Sequence, residues 1–103
     1  MFNIYSTVRG GNRKKAKDLE FLQEHPNVEI IKALASTLGA YKGKNAINML
    51  LILCNHECDN VREASATSLL EILEQDAIVY LNNFKNDRVI IKVLNEYVSK
   101  ITN

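Results

Sequence analysis

The chain has 103 residues, of which 47% are hydrophobic and 24% are charged, and it contains a single proline. This length suits one domain whose core can fold without disulfides or a structural metal. The apolar content excludes a disordered chain, and a formal net charge of +1 excludes a global attraction to nucleic acid or membrane. Two cysteines, no apolar export signal in residues 1–11 and no apolar run of membrane-spanning length predict a cytoplasmic protein without a membrane segment.

Charge is unevenly distributed along the chain. Residues 1–44 hold eight Lys and Arg and four acids, a net charge of +4, whereas residues 45–103 hold five and eight, a net charge of −3. The densest basic stretch, residues 9–17 (Arg-Gly-Gly-Asn-Arg-Lys-Lys-Ala-Lys), has five cations in nine residues; we call it the basic segment. Such a stretch can neutralise phosphates, although cations at a helix start are more often simply solvated. Nucleic-acid binding through the basic segment is therefore kept as an alternative hypothesis.

Hydrophobic periodicity predicts a succession of helices along the whole chain. The predicted helices cover residues 1–9, 12–24, 27–40, 44–54, 59–73, 75–84 and 86–101. Pro26 suits a turn or a first helical position and opens the helix predicted over residues 27–40. Residues 1–11, which end in Gly10 and Gly11, are interpreted as an N-terminal capping segment, and residues 12–103 as one helical domain.

Apolar positions at helical spacing predict which side of each helix faces the core. For residues 27–40 these positions are Ile30, Leu34, Ala35, Leu38 and Tyr41. For residues 44–54 they are Ile47, Leu50, Leu51 and Cys54. The last helix instead gathers a wide polar face, which predicts a solvated C-terminal cap.

The stretch Asp59–Leu73 has the clearest helical pattern. Its broad apolar side consists of Val61, Ser65, Ala66, Leu69, Leu70, Ile72 and Leu73, so the helix is expected to be covered on most sides. Asp59 or Asn60 is predicted to be its N-cap residue. Arg62 lies on the apolar side and is predicted to pair with Asp59 or another carboxylate, because an unpaired buried charge is costly.

A shift of 31 residues brings similar side chains into register. The matched sets include Ile30 with Val61, Ala35 with Ala66, Leu38 with Leu69, Ile47 with Ile78, and Leu19 with Leu50 and Leu81. Each helix pair in such a repeat leaves a flank that only a neighbouring pair can bury. The sequence therefore predicts an all-α solenoid of about three helix pairs, with a non-repetitive helical bundle as the alternative.

Residues 59–66 (Asp-Asn-Val-Arg-Glu-Ala-Ser-Ala), followed by Leu69, resemble the first-helix motif of HEAT repeats, including the bilin-lyase-like variety. Residues 30–39 are similar in spacing, although Ile31 replaces the usual Arg, and residues 87–90 keep the Asp without the Arg. The resemblance covers about residues 12–101 and implies a right-handed HEAT- or armadillo-like solenoid. It also implies that Asp59 and Arg62 form a structural pair between repeats. Residues 59–66 are the one stretch of this sequence that has both the Asp and the Arg of that motif.

Chemistry-bearing motifs are sparse. Cys54, His56 and Cys58 lie within five residues, but a structural zinc site needs four ligands, and an ordinary inter-helix turn is the preferred interpretation. No catalytic or cofactor-binding motif is recognisable. We therefore expect no enzyme, cofactor or metal site; an enzyme accessory of the bilin-lyase-like type is the least favoured alternative.

The resemblance implies that the second helix of each pair lines the concave side, so its outer positions form matched rungs on one face. The residues predicted to line this second-helix face are Lys14, Lys17, Asp18, Phe21, Asn45, Asn48, Met49, Ile52, Asp76, Val79, Tyr80 and Asn83. Large apolar side chains beside polar ones suit a protein or peptide better than a phosphate. The sequence thus predicts a non-enzymatic scaffold whose second-helix face binds a protein, a peptide or a second copy of itself.

Overall fold

The computed structural model of the protein describes residues 19–84 and 87–102. Regular structure in these ranges is helical throughout, without a strand, so the predicted all-α class is confirmed. The α-helices are α1 (Val28–Leu38), α2 (Lys44–Leu53), α3 (Asp59–Leu73), α4 (Ala77–Leu81) and α5 (Arg88–Thr102). Short 3₁₀ helices cover Glu20–Glu24, Glu74–Asp76 and Asn82–Phe84. The helix predicted over residues 1–9, the basic segment and Lys14, Lys17 and Asp18 lie outside the described residues.

Side-chain caps fix the starts of two helices, close to where the sequence predicts them. The Asn27 side chain accepts a hydrogen bond from the Glu29 amide at 2.9 Å, at the start of α1. Asp87 Oδ1 accepts from the amides of Val89 at 2.9 Å and Ile90 at 3.4 Å, at the start of α5. Each cap satisfies amides of the first turn that have no partner within the helix.

The start of α3 differs from the prediction. Its N-cap residue is Cys58, and no side chain caps it, so the predicted capping by Asp59 or Asn60 is wrong. The Cys58 carbonyl accepts from the amides of Val61 and Arg62, which begins the helix one residue earlier. The Asp59 carboxylate is instead bound to the Arg62 side chain.

Two of the predicted helices are shorter and less regular than expected. The described end of the helix predicted over residues 12–24 is the 3₁₀ helix Glu20–Glu24. The helix predicted over residues 75–84 is divided into α4 and its two flanking 3₁₀ turns. Glu74, which follows α3, has φ 53° and ψ −130°, a conformation that disrupts the α-helical course of the chain at that point.

The core forms around α3, which packs against α1, α2 and α5. Fully buried side chains from each of these helices and from α4 meet there: Leu38, Leu50, Val61, Leu69, Leu81 and Ile90. Leu19 and Leu22, at the N-terminal edge of the described chain, pack against this core while remaining half-buried. The predicted inward side of α3 is confirmed at Val61, Ser65 and Leu69.

Two predicted side-chain orientations are wrong. Ile30 is 37% exposed whereas its neighbour Ile31 is 3% exposed, so the first inward position of α1 is Ile31, while Leu34, Ala35 and Leu38 are buried as predicted. Met49, predicted to face outward on α2, is 2% exposed. Because α2 is apolar on almost every side, its own periodicity does not decide which side faces the core.

The rotation of α2 also changes its inner stripe. The buried side chains of the helix are Ala46, Met49, Leu50 and Leu53, a spacing of one helical face. Ile47 and Leu51, predicted to be inward, are half-buried, whereas Leu50 and Cys54 are buried as predicted. The contact with α3 therefore selects this face.

Helices α1 and α3 approach closely at the C-terminal end of α1. The Gly39 amide bonds to Ser36 O instead of continuing the α-helical pattern to Ala35 O. The buried Ser68 hydroxyl on α3 donates to that Ala35 carbonyl at 2.7 Å. A Cβ on Gly39 would lie only 3.1 Å from Ser68 Oγ and 3.3 Å from Ser68 Cβ, so glycine permits this approach.

Candidate functional site

Most described residues of the predicted second-helix face are accessible. Large apolar side chains are exposed at four positions: Phe21 (74%), Ile52 (57%), Val79 (72%) and Tyr80 (43%). The polar positions Asn48, Asp76 and Asn83 are also exposed, and Asn45 is half-buried. Met49 is removed from this face because its side chain belongs to the core.

Helix geometry explains why these apolar side chains point away from the core. In α4, Ala77 and Leu81 are fully buried, and Val79 lies two residues from each, about 200° around the helix. In α2, Ile52 is displaced from the buried Leu50 by the same two residues. Val79 therefore lies opposite the buried side chains of α4, whereas Ile52 lies at the edge of the buried side of α2, beside Met49. Both side chains are exposed, so core packing does not require them to be apolar.

Arg62 lies at the junction between the start of α3 and the start of α5. Its Nη1 donates to the carbonyls of His56 at 2.8 Å and Glu57 at 3.1 Å. Its Nη2 is bound to Asp59, and its Nε lies 2.6 Å from Asp87 Oδ2. The predicted contact with Asp59 is therefore present in the structure, and Asp87 is a second acidic partner that the sequence reasoning did not assign to Arg62.

Electrostatics keep Arg62 charged in this position. Burial alone would lower its pKa, but the hydrogen bond to Asp59 and the charge of Asp87 outweigh that effect and raise the pKa above its ordinary value. Asp87 has two functions at once, since Oδ1 caps α5 and Oδ2 pairs with Arg62. Both Nη groups contact protein acceptors and Nε faces the Asp87 carboxylate, so Arg62 acts as a structural link between helices.

Residues 54–58 form the turn between α2 and α3. The amide of Cys58 donates to His56 Nδ1 at 3.0 Å, which occupies one imidazole nitrogen within the turn. Cys54 is buried, and this burial, together with the charge of Asp87, raises the pKa of its thiol to about 12. Within residues 19–84 and 87–102, no group of three or more His, Cys, Asp or Glu side chains is placed to hold a metal ion.

A groove that the sequence did not predict lies between α3 and α5. Its volume is about 460 Å³, and it is lined by Thr67, Leu70, Glu71, Glu74, Val93, Glu96, Tyr97 and Lys100. The buried side chains of Leu70 and Val93 and the half-buried ring of Tyr97 give it an apolar floor. Exposed charged side chains surround that floor, three acids and one lysine. We call this feature the acidic groove.

The sequence signal for the acidic groove is distributed between two distant helices. Glu71 and Glu74 belong to the polar side of the α3 stretch, whereas Glu96 and Lys100 belong to the polar side of α5. Either side alone is an ordinary solvated helix face. Their juxtaposition depends on the packing of α3 against α5, which sequence periodicity does not specify.

Comparison with known proteins gives no relative for this chain. No family model matches it, and neither the curated proteins nor the solved structures contain a significant match. Among the described residues, none of the helices is both long enough and apolar enough to cross a membrane.

Proposed function

We propose that the protein is a non-enzymatic interaction module that binds a protein or peptide partner on its second-helix face. The observation that carries this proposal is the exposure of Phe21, Ile52, Val79 and Tyr80 on three separate elements. Exposed apolar groups gathered on one face commonly mark interaction sites. Large aromatic and aliphatic side chains are also the residue types that anchor protein interfaces.

We further propose that the architecture is a short right-handed solenoid of the HEAT type. The order of packing supports this, since α3 lies against both α1 and α5, and the intervening elements pack beside these first helices. The molecule measures 46 × 31 × 19 Å, longer in one direction than in the others. A stack of helix pairs has this neighbour order and this elongation.

Burial at equivalent positions of the 31-residue repeat supports the same architecture. Ala35 and Ala66 are both fully buried, as are Leu38 and Leu69. Leu50 and Leu81 form another fully buried pair, in the second helices. These three pairs of positions have the same burial, as expected when each repeat packs against its neighbour in the same way. The pair Ile30 and Val61 differs, since Ile30 is 37% exposed and Val61 is fully buried.

The contacts of Arg62 also favour the HEAT-like hypothesis. Arg62 connects Asp59 in its own helix to Asp87 at the start of α5, which would be the first helix of the next repeat. This arrangement would explain why residues 87–90 retain the aspartate of the motif although they lack its arginine. In this proposal, Asp87 pairs with Arg62, the arginine of the preceding repeat.

The test compares two charged substitutions at exposed isoleucines. Ile52→Glu alters the second-helix face, whereas Ile30→Glu alters an exposed position on α1 and is the matched control. Both variants should keep the helical circular dichroism of the wild type. In affinity capture from the native lysate followed by mass spectrometry, Ile52→Glu should lose protein partners that the wild type and Ile30→Glu retain.

Three results would contradict the proposal. Identical partner sets for both variants would exclude the second-helix face as the binding surface. Failure of Ile52→Glu to fold would show that Ile52 belongs to the core. Recovery of nucleic acid instead of protein, with binding that weakens steeply as salt is raised, would favour the alternative based on the basic segment.

A further inference from the structure

The acidic groove has unneutralised charge around an apolar floor. The exposed side chains of Glu74 and Glu96 line it, and Glu71 lines it as well, although one of its carboxylate oxygens extends towards Gly39 at the end of α1. No ion pair engages any of these three within residues 19–84 and 87–102. Lys100 is the one cation in the lining, so the groove is net negative. Like charges gathered at one place raise the local negative potential and attract a cationic ligand.

The chemistry of the groove matches lysine and arginine side chains in particular. Their charged ends pair with carboxylates, while their methylene stems cover apolar surface, such as the floor formed by Leu70 and Val93. The ring of Tyr97 offers a face to which a cation is attracted. A ligand with several closely spaced cations can use all of these features at once.

We propose that the acidic groove binds the basic segment of a second copy of this chain. The basic segment carries five cations in nine residues, and the two parts of the chain have opposite net charges, +4 for residues 1–44 and −3 for residues 45–103. The protein therefore contains its own ligand of complementary charge. No additional partner is required to account for the groove.

The positions of the two elements define the geometry of this association. The basic segment directly precedes the 3₁₀ helix Glu20–Glu24, which packs beside α1 and α2, whereas the groove lies between α3 and α5. One copy thus contributes its N-terminal part and the next copy contributes its C-terminal part. Such a contact joins two different surfaces and is heterologous, so it can continue from copy to copy.

The groove and the second-helix face have no residue in common, whereas the basic segment contributes Lys14 and Lys17 to the predicted second-helix face and Arg9, Arg13 and Lys15 outside it. Variants of the latter three cations therefore test this contact separately from the proposed function. The two surfaces also respond differently to salt. Association through the groove should weaken as salt is added, because exposed charge pairs are screened. Association through the apolar side chains of the second-helix face should persist.

The test measures self-association of the full chain by sedimentation velocity at about 0.05 M and about 1 M salt. The wild type should associate in a concentration-dependent way at low salt and much less at high salt. The double variant Glu71→Lys/Glu96→Lys should weaken the low-salt association by about tenfold or more. The control Glu29→Lys/Glu57→Lys has the same change in net charge at exposed positions outside the groove and should associate like the wild type.

A charge-swap experiment identifies the second component. Arg13→Glu/Lys15→Glu, in the basic segment and outside the second-helix face, should also prevent association when it is studied alone. A mixture of this variant with Glu71→Lys/Glu96→Lys should restore association, because the reversed charges again attract one another. Circular dichroism of each variant establishes that the charge reversals leave the fold intact.

Each contrary outcome is decisive. A wild type that stays monomeric at every concentration and at both salt levels would overturn the proposal, as would a mixture that fails to restore association. Association unaffected by salt and by the groove variant would assign self-association to another surface. A monomeric chain that nevertheless binds a synthetic lysine-rich peptide in the groove would assign the groove to a foreign basic partner.

Discussion

The two interfaces that α3 makes with its neighbouring first helices use different chemistry. Against α1, the contact is close and depends on a hydrogen bond between neutral groups, with Ser68 bonded to Ala35 O and Gly39 leaving room for Ser68 and for the Glu71 carboxylate. Against α5, it is tied at one end by the charged contacts of Arg62 with Asp59 and Asp87, and towards the other end it opens into the acidic groove.

This difference shows how similar helices acquire different roles within one fold. The close contact at Ser68 contributes stability and register to the α1–α3 interface. The depression beside it, about 310 Å³, is smaller than the acidic groove and is lined mostly by polar and charged side chains such as Lys32, Glu63 and Glu71. An interface held at one end by long charged side chains need not close along its whole length. The α3–α5 interface therefore combines a structural tie with an accessible groove.

The largest expected effect on stability comes from breaking the charged contacts of Arg62 with Asp59 and Asp87, which we call the charged tie. Arg62→Ala removes the link between α3 and α5 and leaves the mostly buried Asp87 carboxylate without its cation. We expect a loss of about 2–3 kcal/mol in the free energy of unfolding, measured by urea denaturation, with the value reduced by partial exposure of the pair. Arg62→Lys should restore part of the loss, because one ammonium group cannot reproduce all the guanidinium contacts.

Arg88→Ala is the matched control, since Arg88 is exposed at the start of α5. It should change the stability by no more than about 0.5 kcal/mol. If Arg62→Ala and Arg88→Ala had equal small effects, the tie would contribute little, and the contrast between the two interfaces would disappear.

A smaller effect is expected from breaking the neutral contact between α1 and α3. Ser68→Ala leaves the Ala35 carbonyl without the hydroxyl donor that crosses between the helices. Loss of a buried hydrogen bond of this type should cost about 1–2 kcal/mol, and added salt should not change that cost. Ser36→Ala, at an exposed position of α1, should be nearly neutral in the same urea titration. A Ser68→Ala protein as stable as the wild type would show that the carbonyl finds another donor.

The smallest effect is a pH dependence that reports on the burial of Cys54 beside the Asp87 end of the α3–α5 interface. Burial, with a smaller contribution from the charge of Asp87, raises the pKa of the Cys54 thiol from its ordinary value of 9.0 to about 12 in the folded protein. Above pH 9 the unfolded chain therefore loses this proton first, and stability falls until the pH passes 12. Between pH 8 and pH 10 this thiol should contribute a loss of about 1 kcal/mol in the free energy of unfolding.

Cysteine variants separate this contribution from the titration of lysines and tyrosines. Cys54→Ala should lose less stability between pH 8 and pH 10 than the wild type, whereas Cys58→Ala should behave like the wild type. The same loss in the wild type and in Cys54→Ala would show that this thiol ionises as readily in the folded protein as in the unfolded one.

Local sequence features predicted the four longer helices, α1, α2, α3 and α5, and several of their ends. Asn27 and Asp87 are capping residues whose hydrogen bonds reach only two or three residues along the chain, so these caps depend on local sequence alone. The inward side of α3 was also predictable, because its apolar residues are separated by polar ones. A helix with a single apolar side has one favourable way to be buried.

Tertiary structure decided what this local information left open. The sequence of α2 did not determine whether Met49 faces the core, because this helix is apolar on almost every side. Whether Ile30 or Ile31 is buried depended on how α1 packs against its neighbours. Ser68 contacts Ala35, which is 33 residues away in the sequence. Arg62 contacts Asp87 at the start of α5. The acidic groove likewise exists only where the polar side of α3 meets that of α5. Periodicity specifies a side of one helix, whereas these features are properties of two helices in contact.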